Sequence, residues 1–353
     1  MKPSSFLAEV ITEMTHEPSE QQRDYEHALL SVVIPVFNER PVLAALYDRL
    51  CSVLDAVPAT YEIVFVDDGS RDGSGQWIVD LAMRVSRVRA VRLSRNFGKE
   101  AALTAGIEHS NGDLVLVIDA DLQDPPELIP DMLKAWQEGA EVVTMKRRSR
   151  AGETRFKTMS AHLFYRLLNR ISEVSIPEDT GDFRLMSRKA VDALLQLQER
   201  NRYMKGLFAW VGLPTTVIEY DRAPRAAGSS QWNYLSLLRL AFEGITSFSV
   251  MPLRLVTGVG VLTALMGMLF GLWVIAKTVV FGEVVQGYPS LIAMMTFLGG
   301  VQLISIGLLG EYVGKTYFET KQRPIYLVRD VAQKAQSTRA VAVPTDLRHR
   351  DAA

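Results

Sequence analysis

Three acids follow a short apolar run in LVLVIDADLQDPP, Leu114 to Pro126: Asp119, Asp121 and Asp124. Residues two apart in an extended chain project to one side, so Asp119 and Asp121 converge on one point. Two such charges about 4 Å apart repel by roughly 4 kcal/mol at an effective dielectric near 20, and a bound cation turns that repulsion into ligation. Oxygen donors without histidine or thiolate select Mg2+ or Mn2+, ions that keep open positions for phosphate oxygens. Spacing alone leaves a second reading open, in which one Asp caps the next helix and the other is solvated. VFVDDGS divides the same way, between a simple strand-to-helix turn and a carboxylate, Asp68, that accepts hydrogen bonds from a nucleobase edge. MKRRSRAGETRFK, with six basic residues and one acid, suits phosphate, anionic headgroups or an ordinary solvated face.

These residues need elements to hold them. From residue 30 to 145, short β-branched runs alternate with helical patterns: SVVIPVF then Pro41 to Leu54, YEIVFV then Gly75 to Met83, VRAVRL then Lys99 to His109, LVLVI then Pro126 to Glu138, and VVT. That rhythm predicts an α/β fold of βαβ units around a parallel sheet. Ligands of such sheets sit at the carboxyl ends of the strands, where Asn38, Glu39, Asp67, Asp68, Asp119 and Asp121 collect. Pro35 falls near the end of its strand, which limits the cost of its missing donor. Neither a Gly-x-Gly-x-x-Gly turn nor a Walker lysine loop occurs, so dinucleotide oxidoreduction and P-loop hydrolysis lose their usual supports.

Of 353 residues, 39 are basic and 40 acidic, so bulk charge advertises no nucleic-acid partner. The single cysteine, Cys51, excludes an internal disulfide and suits a reducing compartment. Residues 1–29 read as a polar lead-in without a secretory core. The stretches 255–276 and 289–310 are uncharged and long enough to cross a membrane, which takes about 20 residues. Lys277 is the basic residue between them, whereas Arg239 and Arg254 precede the first span and Lys315, Lys321, Arg323 and Arg329 follow the second. This asymmetry places the N-terminal domain and both termini in the cytoplasm. The hairpin region covers 252–312; residues 231–251 read as a juxtamembrane amphipathic helix or an ordinary surface helix, and 313–353 as a cytoplasmic tail, polar and mobile beyond Arg329.

Together VVIPVFNE, VFVDDGS, NFGKEAALTAG, DADLQDPPE, DTGDFRLM and GLLGEYVGKTYFETKQRP resemble the inverting GT-A glycosyltransferases that move a sugar from a nucleotide onto a polyprenyl phosphate. That group includes bactoprenol glucosyltransferases and dolichol-phosphate mannose synthases, and the resemblance covers about residues 30–328 and is close to the bactoprenol branch. It implies a Rossmann-like GT-A domain over 30–230, with a mixed, mostly parallel sheet and helices on both faces. It further implies nucleoside contacts from Pro35, Phe37, Glu39, Val66, Asp68 and Ala120, and a Mg2+ or Mn2+ site at Asp119, Asp121 and Gln123. Asp182 or Asp179 is the implied base, and Arg147, Arg184 and Arg225 the implied acceptor-phosphate cations. Gln231 stands where relatives carry a lysine, and a neutral amide cannot balance phosphate charge. The expected partners are a UDP-sugar, undecaprenyl phosphate or a similar lipid, the bacterial inner membrane, further copies of the chain as a tetramer, and a downstream flippase. Two alternatives stay open: another donor, such as a UDP-4-amino-arabinose derivative or GDP-mannose, and a non-catalytic nucleotide-binding scaffold.

Overall fold

Each β-branched run of the N-terminal half becomes a strand, and each amphipathic run becomes a helix laid against it. In the computed structural model these are β1 (Leu29–Val36), α1 (Leu43–Leu54), β2 (Thr60–Asp67), α2 (Ser74–Arg84), β3 (Val88–Leu93), α3 (Lys99–Glu108), β4 (Leu114–Val117), α4 (Ile129–Gln137) and β5 (Val142–Arg147). After them come β6 (Thr180–Ser187), α5 (Arg188–Leu195), α6 (Met204–Trp210), β7 (Thr215–Tyr220), α7 (Met251–Phe281), α8 (Tyr288–Thr320) and β8 (Val328–Gln333). The structure describes residues 23–148, 180–197, 199–200, 202, 204–221, 246, 249–281 and 287–334. Asp179, Arg225, Gln231 and most of the expected juxtamembrane helix lie outside the described residues.

The strands form one sheet in the order β7-β5-β6-β4-β1-β2-β3-β8. β1, β2, β3 and β4 are mutually parallel where they pair, as are β5 and β7, whereas β6 runs antiparallel between β4 and β5. The side-chain period of two sorts the core into two layers. Leu30, Val32, Ile34, Ile63, Phe65, Leu114 and Leu116 face α1, α2 and α4, while Val33, Val64, Val66, Val115 and Val117 face α3, α5 and α6. α3 packs so closely that a Cβ on Gly106 would stand 2.3 Å from Val33 Cγ1 and 3.0 Å from Val66 Cγ2. Glycine is what lets this helix reach the sheet.

Strand order reverses about β1, since β2 and β3 lie on one side of it and β4 on the other. Val33 O accepts from Ile118 N, and Val36 O from Asp68 N. Pro35, two residues from Val33, therefore faces the side where β4 has already ended, and its missing N–H interrupts no ladder.

Two expectations need correction. The tail beyond Arg329 does not turn mobile at once: β8 joins the sheet edge antiparallel to β3, Asp330 takes a two-pronged ion pair at 2.7 Å from Arg92, and Lys334 N donates to Ala82 O. The polar lead-in does not extend to residue 29, because Arg23 pairs with Glu141 at 2.7 Å and Tyr25 packs against the core.

The two apolar spans are helices that outlast their expected limits, and both are long and apolar enough to cross a membrane. Leu262, Leu269, Phe270, Ile275, Leu303 and Ile304 stand exposed along them, a pattern that water would penalise and lipid would not.

Candidate active site

The polar residues of the carboxyl rim enclose a cleft of about 220 Å³ at the reversal point between β1 and β4. Its wall includes Pro35, Phe37, Glu39, Asp68, Asp119, Ala120 and Asp121, and also Asn96, Gly98 and Lys99. Val66 is not in that wall; it is fully buried beneath Gly106.

Asp119 and Asp121 reach the cleft by a turn and not by the extended spacing expected from the sequence. β4 ends at Val117, Leu122 adopts φ 60°, and Asp121 Oδ1 accepts from Gln123 N at 3.2 Å. A bulky residue at positive φ is strained, and such strain gathers at functional sites. Asp124, the third acid, is almost fully buried and takes a hydrogen bond at 2.5 Å from the Tyr220 hydroxyl, which fixes it as a brace between this turn and β7.

Asp68 accepts from Phe97 N at 2.7 Å and from Gly98 N at 2.9 Å, so it anchors the entry to α3. Burial pushes its carboxyl above the ordinary range despite those two amides. Each of its oxygens keeps a further lone pair with which to accept from a second donor.

The residue that the sequence reading passed over is Lys99. Its ammonium lies 2.6 Å from Asp119 Oδ1 and 2.5 Å from Asp182 Oδ2, bridging β4's turn to β6. Burial works against the Lys99 charge, yet the two carboxylates hold it well above the usual lysine range. For Asp182 burial again opposes ionisation, but Lys99, Lys205 and Arg184 overcome it and keep the carboxyl well below its ordinary range. Glu100, beside Lys99, is lifted to about 7 by burial and by Asp182.

On β6, Asp182 and Arg184 are two apart and share the α3/α6 side of the sheet, while Phe183 and Leu185 enter the opposite layer. Arg184 is almost fully buried, donates to Gly181 O at 2.9 Å and sits 3.6 Å from the centre of the Phe208 ring. Burial lowers its guanidinium to about 10, still charged at neutral pH. Arg147 ends β5 next to Gly181, its Nη2 3.5 Å from where a Cβ there would stand. Arg147 Nε and Arg184 Nε are buried and find no hydrogen bond among the described residues.

The donor set of Asp119 and Asp121 is oxygen only, and Asp119 already attracts a cation in the form of Lys99. Among the described residues no cluster of three acidic, His or Cys side chains forms a complete metal cage. Two carboxylates with the remaining positions open fit a hard divalent ion that shares a diphosphate.

Residues 31–195 match the family model described as glycosyl transferase family 2, and residues 251–316 match the GtrB C-terminal hairpin. A bactoprenol glucosyl transferase of Shigella phage SfV is 48% identical over 305 residues, 86% of this chain and 99% of that protein. The chain belongs to glycosyl transferase family 2. An uncharacterized glycosyltransferase of Synechocystis sp. is 49% identical over 302 residues, 86% of this chain and 95% of that one. Glucosyl-3-phosphoglycerate synthase from Mycobacterium tuberculosis, solved with Mn2+, UDP-glucose and phosphoglyceric acid, is 21% identical at TM-score 0.42 over 62% of this chain and 78% of that one. The mixed, mostly parallel sheet of this family 2 glycosyltransferase is of the GT-A type, and its hairpin is the pair α7 and α8.

Proposed function

We propose that this glycosyltransferase transfers glucose, with inversion, from UDP-glucose to a polyprenyl phosphate such as undecaprenyl phosphate at the cytoplasmic face of a bacterial inner membrane. The carrying observation is the meeting, at one rim, of a two-carboxylate cleft and a buried cationic cluster around Asp182. A cleft with acids suits a metal-bound diphosphate, and cations beside it suit a second phosphate. The Shigella phage relative, named for bactoprenol and glucose, supports the choice of acceptor and sugar.

In this reading Pro35, Phe37, Glu39, Asp68 and Ala120 hold the nucleoside, while Asp119 and Asp121, with Gln123, hold Mg2+ or Mn2+. When bound, the ion offsets the charge that gathers on the departing UDP. Arg147 and Arg184 orient the acceptor phosphate, whose second pKa near 6 leaves it largely ionised at neutral pH. Its oxygen attacks the sugar C1 as the bond from C1 to the UDP oxygen breaks. No strong base is required, and Asp182, held far below its ordinary range, is a poor one. Its contribution is a fixed negative charge that positions Lys99 at the mouth of the cleft.

The test is UDP release from UDP-glucose by the full chain in vesicles, with and without undecaprenyl phosphate and Mn2+, in wild type and Asp121→Ala. Release that needs both additions, and a loss on the order of a hundredfold in the variant, is expected. Release independent of acceptor and metal would count against the transfer mechanism, and no turnover with any nucleotide sugar would leave a binding scaffold.

A further inference from the structure

Lys205 has so far served only to help hold Asp182 ionised, although α6 directs it at the same cluster. Met204 N donates to Glu100 Oε2 at 3.3 Å, which sets the start of α6 against the first turn of α3. Three residues after Lys205, Phe208 carries the Arg184 guanidinium on its ring. Residues three apart share a helix face, so Lys205 faces the layer that holds Arg184. Helical side chains also lean toward the helix start, here toward Lys99 and Asp182.

Charge at this place is out of balance. Lys99, Lys205 and Arg184 gather around Asp182 with Arg147 close to Lys205, against the carboxylates of Asp182 and Asp119 and a Glu100 carboxyl lifted to about 7, and Lys99 is already shared with Asp119. Burial lowers the Lys205 ammonium, and Lys99, Arg184 and Arg147 lower it further against the pull of Asp182 and Glu100. The buried Nε atoms of Arg147 and Arg184, without partners among the described residues, are donors in want of an acceptor. An anion is the missing component.

We propose that Lys205 completes, with Arg147 and Arg184, a phosphate site beside Asp182 that takes the terminal phosphate of the lipid acceptor. Arg147 and Arg184 present planar forks at fixed angles, and Lys205 adds a compact charge able to follow the phosphate during attack. This assignment rests on the proposed transfer to a polyprenyl phosphate. The same chemistry would accept the diphosphate of the donor, so the two sources must be separated by measurement.

The experiment uses the full chain in detergent, with farnesyl phosphate as the acceptor probe and UDP with Mn2+ as the donor probe, each titrated by thermophoresis. KM for undecaprenyl phosphate is measured at saturating UDP-glucose. Lys205→Met is expected to weaken farnesyl phosphate binding and to raise the acceptor KM by about tenfold or more, with UDP affinity unchanged, and Lys205→Arg to restore most of both. Lys205→Gln, closer in polarity, stands beside it, and a melting temperature near that of wild type qualifies each variant. Unchanged farnesyl phosphate binding, or a proportional loss of UDP affinity, overturns the assignment. Should wild type bind farnesyl phosphate through Lys205 yet transfer no sugar, the site stands and the proposed transfer fails. Should transfer proceed with the acceptor KM indifferent to Lys205, the reverse holds.

Discussion

The ammonium of Lys99 bridges two carboxylates that would otherwise repel across the cleft mouth, and in the proposed reading it does so where Asp119 would meet a divalent ion. In that reading, lysine and metal compete for the carboxylate of Asp119. Lys99→Met should raise the affinity for Mn2+ in the donor-free enzyme by on the order of tenfold while lowering turnover, a pairing read by electron paramagnetic resonance titration beside an activity assay. Glu100 gives a prediction in pH. Its carboxyl titrates near 7 in the folded chain against an ordinary 4.5, so the stability of the protonated form is full below about 4.5 and is lost as pH rises through about 7. Glu100→Gln fixes the neutral state and should gain in melting temperature over wild type as pH climbs, with no advantage in acid. Asp119, Asp121 and Asp68 were legible in the sequence because their spacing after apolar runs is local. Lys99 and Lys205 were not, since their meaning depends on Asp182 and Arg184, which reach them only through the sheet.

α3 links this chemistry to the sheet, and its position is set by Gly106. A methyl group there meets Val33 and Val66 and must displace the helix whose first residue is Lys99. Gly106→Ala should cost about 1–3 kcal/mol by overpacking, seen as a lower melting temperature, and weaken UDP binding as Lys99 moves. The strands β1 to β5 were readable because each buries a β-branched face. β6 was read only as a motif, and its antiparallel insertion between β4 and β5 turns DTGDFRLM into the strand that aims Asp182 and Arg184. β8 carries no comparable signature, since Val328, Arg329 and Val331 remain exposed; hydrogen bonds with β3, the Arg92 pair, the packing of Ala332 and a bond to α2 hold it. That pair is partly exposed, so Asp330→Ala should cost at most about 1 kcal/mol in thermal unfolding.

Across the whole molecule, α8 and the chain after it are tied both to the segment that precedes the hairpin and to the catalytic domain. Tyr312 donates to Ser249 O at 2.6 Å, Lys315 reaches Thr246 at 2.5 Å, and Glu319 accepts from Arg200 N at 2.8 Å. Tyr326 bonds Glu108 at the far end of α3, the helix that begins with Lys99. Composition alone revealed the hairpin, because an uncharged run needs no partner to be recognised; these ties were hidden because each joins residues distant in the chain. Cutting the chain after Ala332 removes the last bond of β8 to α2 but leaves the bonds of Tyr312 and Lys315, so membrane insertion should persist while melting temperature falls.

α8 stays helical through Glu311, Lys315 and Glu319, charged residues that hydrocarbon would not accept. From Glu311 to Thr320 it rises about 13.5 Å, at about 1.5 Å per residue. In the proposed membrane arrangement the helix acts as a stilt of set height, and the cleft stands at one altitude above the lipid. Inserting one extra turn there, about 5.4 Å, should carry the cleft beyond a phosphate anchored in a vesicle yet leave it able to meet a short-chain acceptor free in solution.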